Sequence, residues 1–358
     1  MKRLKSIICI IMVLCFCISI SNIYAENNDL AATSDQLSAT SAKECIGLET
    51  STSSVIIESN GYSEFIDAIA TLEDNSEKNV NYDAVWETDN PDVAIVMEGR
   101  ILAEGKGHAK IKVSYGGFER FIDVQVLKEV DLIKEAKALN QKLKNTSSNS
   151  NSKSISTFSL TSNERQAIYD RAMTMLSYVW TPTKNLSKRG GGVFTAGTSY
   201  LGLPYTQEKQ VDRNGFIAAM SYSDFYTPQP YYDTKWNLFY QPKYGNDCSG
   251  FTSFSWGILR QTTLDFYNGL GTTYPKVGSY NENSPSTTDL LASYQLLQMG
   301  DAVVYRNSAG GHVFLISVNF TNESRVQAFE QAGPVCSITY WTYSQLASQK
   351  YMPFTLNK

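Results

Sequence analysis

Cys248 is the residue of this sequence best suited to act as a nucleophile. It lies in YGNDCSGFTSFSWGI (244–258), between an acidic residue and a serine. Asn246 or Asp247 suits an N-cap, and the apolar spacing over 249–259 predicts that a helix follows. In the first turn of a helix, the unpaired amides and the positive end of the dipole favour a thiolate, which is the reactive form of cysteine.

A cysteine nucleophile needs a base, and the chain contains two histidines. His108 lies far from Cys248 in the sequence and is interpreted as an exposed turn residue. His312 follows a predicted strand at 302–305 and a Gly-rich turn, and it begins the next predicted strand, HVFLISV. A histidine beside two glycines at a strand start can face a groove, and its ordinary pKa suits proton exchange near neutrality. His312 is therefore the predicted base.

The third predicted strand, RVQAFEQA (325–332), ends in two polar residues that could orient His312. Period-two alternation places Glu330 and Gln331 on opposite faces, so only one of them can point at the histidine. The residues alone leave the choice between Glu330 and Gln331 open, and an exposed strand end is an equally good interpretation of either.

The cysteine count limits what Cys248 can be. Residues 1–25 have the basic start, apolar core and small final residue of a secretory signal peptide. Its removal would leave three cysteines, and an odd number in an exported protein cannot pair completely. The alternatives to a nucleophile at Cys248 are a buried inert thiol and a disulfide with Cys336 or Cys45. Cys336 is interpreted as a core strand residue.

Composition excludes some partners and metal sites. The formal net charge is −4, whereas binding a phosphate backbone needs a concentrated basic surface, so no nucleic acid is expected as a partner. No segment after the signal peptide is apolar enough to span a membrane. One histidine and two distant cysteines in the C-terminal half do not make a zinc ligand set, so no metal or other cofactor is expected.

The chain divides into segments of different pattern. A polar lead-in (26–44) precedes short alternating apolar runs with regular turn signals (45–127), which predict an antiparallel sandwich. A helix and a Ser/Asn-rich linker follow (128–160). The second domain (161–358) opens with a capping box, Thr161 to Glu164. The Tyr- and Pro-rich stretch 222–244 has no pattern of regular structure.

Two resemblances to known families refine this organisation. The segment 82–126 resembles the bacterial group 2 immunoglobulin-like domain in its Trp86 run, its Gly99-x-Ile-x-Ala step and its Gly107-x-Ala-x-Ile strand. The second domain resembles the NlpC-type cysteine peptidase superfamily, through DCSGF at 247–251, GGHV at 310–313 and GLPY at 202–205. The resemblances imply an all-β immunoglobulin-like sandwich followed by an α+β papain-like domain.

The NlpC-type resemblance also implies roles for single residues. It implies Cys248 as nucleophile, His312 as base and Glu330 in the third position, where family members often have His, Asn or Gln. Substrate-pocket roles are implied for the set Tyr205, Asp247 and Ser249, with Gln331 kept as a further candidate. Residues 206–244 form an insertion that the family does not usually have, which leaves the substrate specificity open.

The predicted function is a secreted, cell-wall-associated cysteine hydrolase that cleaves peptidoglycan stem peptides as an endopeptidase. Two alternatives remain open at this point. An N-acetylmuramoyl-L-alanine amidase would use the same three residues, and a non-catalytic surface adhesion or scaffold protein could keep the fold without the activity. The immunoglobulin-like segment is expected to be a spacer, or to bind a glycan or protein partner.

Overall fold

The computed structural model describes residues 43–147, 160–232, 238–307 and 310–357. The predicted signal peptide, almost all of the predicted lead-in and most of the Ser/Asn-rich linker lie outside these ranges. Within them, no helix combines the length and the apolar composition needed to cross a membrane.

The N-terminal region, residues 45–128, consists of short strands in three sheets. The sheet orders are β1-β4-β5, β2-β10-β9-β6 and β3-β8-β7. The strands are β1 (Cys45–Thr50), β2 (Ser54–Ser59), β3 (Ser63–Phe65), β4 (Ala68–Leu72), β5 (Glu77–Asn79), β6 (Val85–Thr88), β7 (Ala94–Met97), β8 (Arg100–Ala103), β9 (Gly107–Tyr115) and β10 (Phe118–Lys128).

Alternation of apolar and polar residues explains how these strands build a core. In β9, Ile111 and Val113 are fully buried, whereas Lys110 between Ala109 and Ile111 is exposed. β2 pairs in parallel with β10, so the expectation of purely antiparallel pairing is wrong for these two strands. The intervening strands give the chain the length that a parallel connection requires. His108 is exposed as expected, but it lies within β9 rather than in a turn.

The C-terminal region, residues 160–357, is built around a five-stranded sheet of order β22-β21-β20-β19-β23. Helix α1 (Leu132–Ser147) follows the N-terminal region. The other helices are α2 (Ser162–Leu176), α3 (Arg213–Ala219), α4 (Cys248–Trp256), α5 (Thr263–Asn268), α6 (Thr287–Tyr294) and α7 (Tyr343–Ser348). The strands of the sheet are β19 (Ala302–Arg306), β20 (Gly311–Phe320), β21 (Arg325–Glu330), β22 (Ser337–Thr342) and β23 (Met352–Phe354).

Smaller strand pairs cover the segment between α2 and α4. They are β11 (Val179–Trp180) with β14 (Tyr200–Leu201), β12 (Leu186–Ser187) with β13 (Val193–Phe194), β15 (Lys209–Gln210) with β18 (Tyr244–Gly245), and β16 (Gln229–Tyr232) with β17 (Leu238–Gln241). The expectation that 222–244 lacks regular structure is therefore wrong for β16 and β17. These strands form a ladder in which Tyr231 stacks on Phe239, with ring centroids 5.7 Å apart.

Local sequence signals account for the ends of two helices. The capping box that Thr161 and Glu164 predict is present at the start of α2. Helix α4 ends at Trp256 rather than at the predicted Leu259, because Gly257 adopts a left-handed conformation (φ 70°) and caps the helix.

The two regions contact each other along β22. Tyr62 stacks on Tyr340 of β22 at a centroid distance of 4.5 Å, and the Tyr340 amide donates to the Gly61 carbonyl at 2.8 Å. Arg325 Nη1 donates to the Tyr62 hydroxyl at 2.6 Å. Edge strand β22 of the C-terminal sheet is thereby covered by the N-terminal region, which protects its backbone groups.

Candidate active site

The motif DCSGF forms the start of α4. Asp247 is the N-cap, and its Oδ1 accepts from the Gly250 amide at 2.6 Å and from the Ser249 hydroxyl at 2.8 Å. Gln210 Oε1 accepts from the Asp247 amide at 2.8 Å. A Cβ at position 250 would lie only 2.3 Å from that Gln210 oxygen, so the glycine of the motif allows this close approach. These contacts fix Cys248 as the first residue of the helix.

Cys248, the first residue of α4, lies close to the start of α5. The residue is 7% exposed, and its Sγ is 3.6 Å from the Thr263 hydroxyl on α5. As the first helical residue, its amide lacks a partner within the helix and is available to an oxyanion. The thiol is thus almost completely buried, with one hydroxyl close to its sulfur.

The register of the central sheet brings His312 and Glu330 together. Leu315 of β20 is paired with Phe329 of β21, which puts Glu330 opposite Phe314. His312 is two residues from Phe314, so it lies on the same face and diagonal to Glu330. His312 Nε2 is 2.8 Å from Glu330 Oε2. The other ring nitrogen, Nδ1, is not used by Glu330 and is left for the interaction with Cys248 that raises the pKa of His312.

His312 and Glu330 each stabilise the charged form of the other. Burial alone would lower the pKa of His312, but the charges and hydrogen bonds of Cys248 and Glu330 raise it to about 9. Burial alone would raise the pKa of Glu330, but Arg100 and His312 bring it well below its usual range. At neutral pH the cluster therefore contains a His312 imidazolium between the Glu330 carboxylate and the Cys248 side chain.

Glu330 receives further donors from β22 and from the N-terminal region. Its Oε1 accepts from the Thr339 hydroxyl and from the Trp341 indole nitrogen, the latter at 3.3 Å. Arg100 of β8 donates to both oxygens, from Nη2 to Oε1 at 2.8 Å and from Nη1 to Oε2 at 3.3 Å. A fully buried carboxylate needs such partners to stay ionised.

The predicted pocket residues lie beside Cys248, but their polar groups are already engaged. The Asp247 Oδ2 accepts from Arg260 at 2.9 Å, so both carboxylate oxygens have donors within the protein. Ser249 is buried and donates to Asp247. The Tyr205 ring packs under the Arg189 guanidinium at 4.0 Å, and burial raises the pKa of the Tyr205 hydroxyl.

Gln331 is not the hydrogen-bond partner of His312. Its side-chain amide donates to the Leu203 carbonyl at 3.2 Å and to the Asn246 carbonyl at 3.1 Å. It thereby links the GLPY segment to the residues before Cys248. Of the two polar residues at the end of β21, the structure places Glu330 at the histidine and Gln331 under the helix start.

The other described cysteines have different environments. Cys45, Cys248 and Cys336 are all free thiols. Cys336 is buried, accepts from the Leu203 amide at 3.2 Å, and has its pKa raised by burial to about 12. Cys336 therefore remains a protonated thiol over the physiological pH range.

Sequence reasoning missed the residues that surround Glu330. Arg100, Thr339 and Trp341 lie outside every motif that pointed to Cys248 and His312. One signal was present in the sequence, because Arg100 directly precedes the apolar run Ile101 to Ala103, where a charged side chain needs a partner if the strand is buried. Within the described residues, no three His, Cys, Asp or Glu side chains are grouped so that they could hold a metal ion.

Comparison of the chain with protein-family models gave no match, and no curated protein sequence matches it. The resemblances to the immunoglobulin-like domain and to the NlpC-type superfamily therefore stay predictions that rest on the motifs themselves.

Proposed function

We propose that the protein is a secreted cysteine hydrolase that cleaves peptidoglycan stem peptides. The observation that carries the proposal is the Cys248, His312 and Glu330 cluster, with the His312 Nε2 to Glu330 Oε2 distance of 2.8 Å. A thiol at a helix start, a histidine beside it and a carboxylate behind the histidine are the parts of an activated cysteine nucleophile. The substrate class comes from the DCSGF and GGHV resemblance.

In the proposed reaction, Cys248 Sγ attacks the carbonyl carbon of a peptide bond and a thioester forms. The backbone amide of Cys248 stabilises the oxyanion, and His312 donates its proton to the leaving amine as the C–N bond breaks. Water then attacks the thioester, His312 accepts a proton from that water, and the thiolate is released. Glu330 stays ionised throughout and stabilises the imidazolium.

The test is mass spectrometry of purified muropeptides after incubation with residues 26–358. We expect shortened stem peptides, and we expect Cys248→Ala to reduce cleavage by about a thousandfold or more. Cys45→Ser removes a thiol of the N-terminal region and serves as the matched control with full activity. Release of intact stem peptides from the glycan would instead indicate an amidase. Absence of cleavage by a protein whose Cys248 is readily alkylated would refute the proposed substrate class.

A further inference from the structure

Arg100 connects the N-terminal region directly to the candidate catalytic carboxylate. The arginine is 7% exposed, and its guanidinium binds both oxygens of Glu330, at 2.8 and 3.3 Å. One of those oxygens, Oε2, is also the atom that meets His312 Nε2. Arg100 and His312 therefore hold the same carboxylate oxygen from two sides.

The backbone and the packing leave Arg100 little freedom. It follows Gly99, which has a φ of 85° in the turn between β7 and β8. A Cβ at Gly99 would lie 2.4 Å from the Ile66 carbonyl oxygen, so this turn is tightly seated. The guanidinium also stacks over the Trp341 ring at 3.9 Å. A planar fork held in this way fixes the orientation of a carboxylate better than a single point charge would.

Arg100 also bears on the charge of Glu330. The carboxylate is fully buried, and a buried carboxyl without a cationic partner tends to take up a proton. A protonated Glu330 would no longer stabilise the imidazolium of His312. Arg100 is the cation beside Glu330 that cannot lose its charge in a protein, whereas His312 itself must exchange protons.

We propose that Arg100 is a positioning residue that acts through Glu330 to orient and charge His312, so that the N-terminal region completes the active site. The assignment rests on the proposed function for the reaction that the cluster performs. The N-terminal region is then part of the catalytic unit rather than a spacer.

Several other titratable groups face the cluster and enter its pH dependence. Glu98 lies on the β7–β8 turn and Glu104 follows β8. Burial raises the pKa of both carboxyl groups, that of Glu104 to about 7. Tyr351 precedes β23, and burial raises the pKa of its hydroxyl.

The charges of Cys248 and Glu98 also act on Tyr305 of β19 and raise the pKa of its hydroxyl, after burial as the largest cause. The charge of Lys188 acts to lower the pKa of Glu104. The test must therefore separate an effect of Arg100 that acts through Glu330 from a general change in the electrostatic potential at Cys248 and His312.

The first measurement is the rate at which iodoacetamide alkylates Cys248 as a function of pH, followed by peptide mass spectrometry on residues 26–358. We expect Arg100→Met to lower the alkylation rate at neutral pH roughly tenfold or more. We also expect it to raise the pH at which the alkylation rate begins to increase, which is the acidic edge of the profile. Arg100→Lys keeps a charge, so we expect it to keep the acidic edge and to recover part of the rate. Arg120→Met is the matched control, because Arg120 pairs with Glu49 on the exposed surface of the same region.

The decisive comparison repeats Arg100→Met in the Glu330→Gln background. If Arg100 acts through Glu330, its replacement there changes the alkylation rate by no more than about twofold. An equal loss in both backgrounds, or a folded Arg100→Met protein with the wild-type profile, would overturn the proposal. If Arg100→Met does not fold, Arg100→Lys takes its place in both backgrounds. Because alkylation needs no peptide substrate, failure to cleave muropeptides would refute the proposed function and leave this result standing.

Discussion

Two buried arginine–carboxylate pairs of the molecule, Arg165–Asp301 and Arg100–Glu330, show opposite pKa shifts of their carboxyl groups. Arg165 Nη1 donates to Asp301 Oδ1 at 2.8 Å, and Arg100 Nη2 donates to Glu330 Oε1 at the same distance. Burial raises the pKa of Asp301 even though Arg165 opposes it. The pKa of Glu330 is instead held well below its usual range, because Arg100 and His312 together outweigh burial.

The difference shows what a second cation does at a buried carboxylate. Arg165 ties α2 to the segment before β19, since it also donates to the Met299 carbonyl at 2.7 Å. That pair lies within one region and contacts no catalytic residue. Glu330 lies where two regions meet and joins Arg100 to His312. We therefore expect the first pair to stabilise the fold, and the second to hold a charge in place for the proposed reaction.

The largest expected effect comes from removing each carboxylate in turn. Glu330→Gln and Asp301→Asn each leave a buried arginine without its partner, so we expect each to lower the free energy of unfolding by about 3 kcal/mol or more. Glu330→Gln should also slow muropeptide cleavage by about a hundredfold or more, because His312 loses its anionic partner. Asp301→Asn, assayed under conditions where it is folded, should cleave at the wild-type rate. Equal activity loss in both variants would contradict the assigned difference.

The pH dependence of stability gives a smaller effect with a defined sign. The pKa of His312 is raised to about 9 in the folded protein, against about 6.5 in an unfolded chain. The stability contributed by His312 is therefore fully present below about pH 6.5 and is lost as the pH rises through about 9. We expect the free energy of unfolding to fall by about 2 kcal/mol between pH 7 and 9.5, measured by urea titration.

Variants distinguish this contribution from other groups that titrate in the same range. His312→Gln should remove most of the fall, whereas Asp301→Asn should keep it. At the acidic end, the depressed pKa of Glu330 gives stability that is present above its ordinary pKa and is lost as the pH falls through the depressed value. An unchanged fall in His312→Gln would show that another group causes it.

The smallest expected effect concerns one hydroxyl. Thr339→Val removes a donor to Glu330 Oε1 while keeping the side-chain shape. We expect a loss of about 1 to 2 kcal/mol in stability and a several-fold slower alkylation of Cys248. Ser317→Ala is the matched control, because Ser317 donates to Gln327 in the same sheet, away from Glu330. Ser317→Ala should lower stability without slowing the alkylation of Cys248. Equal slowing in both variants would show that Thr339 has no specific effect through Glu330.

Local sequence signals predicted the elements that carry Cys248 and His312. The cap at Asp247 and the glycines before His312 act over a few residues, so short-range reasoning sufficed to place a helix start and a strand start. Alternation along β21 also showed that only one of Glu330 and Gln331 could face the histidine. Choosing between them required the register with β20, which depends on pairing between strands.

The partners of Glu330 could not be predicted in this way. Arg100 is separated from Glu330 by 230 positions and belongs to a segment for which the sequence predicts a spacer or a binding role. Its burial depends on how β3 and the Arg100 side chain of β8 pack against β22, and none of these strands carries a motif for that contact. The residues 161–358, which the sequence predicts to be the hydrolase domain, therefore do not include Arg100, although its guanidinium binds Glu330.

The central claim is that Cys248, His312 and Glu330 form one charged cluster, and a titration of the His312 imidazole by NMR tests it most directly. The chain has two histidines, so a His108→Gln variant assigns the His312 signal. We expect a midpoint near pH 9 and a lower midpoint in Cys248→Ala. A midpoint near the ordinary value of about 6.5, unchanged by Cys248→Ala, would contradict it.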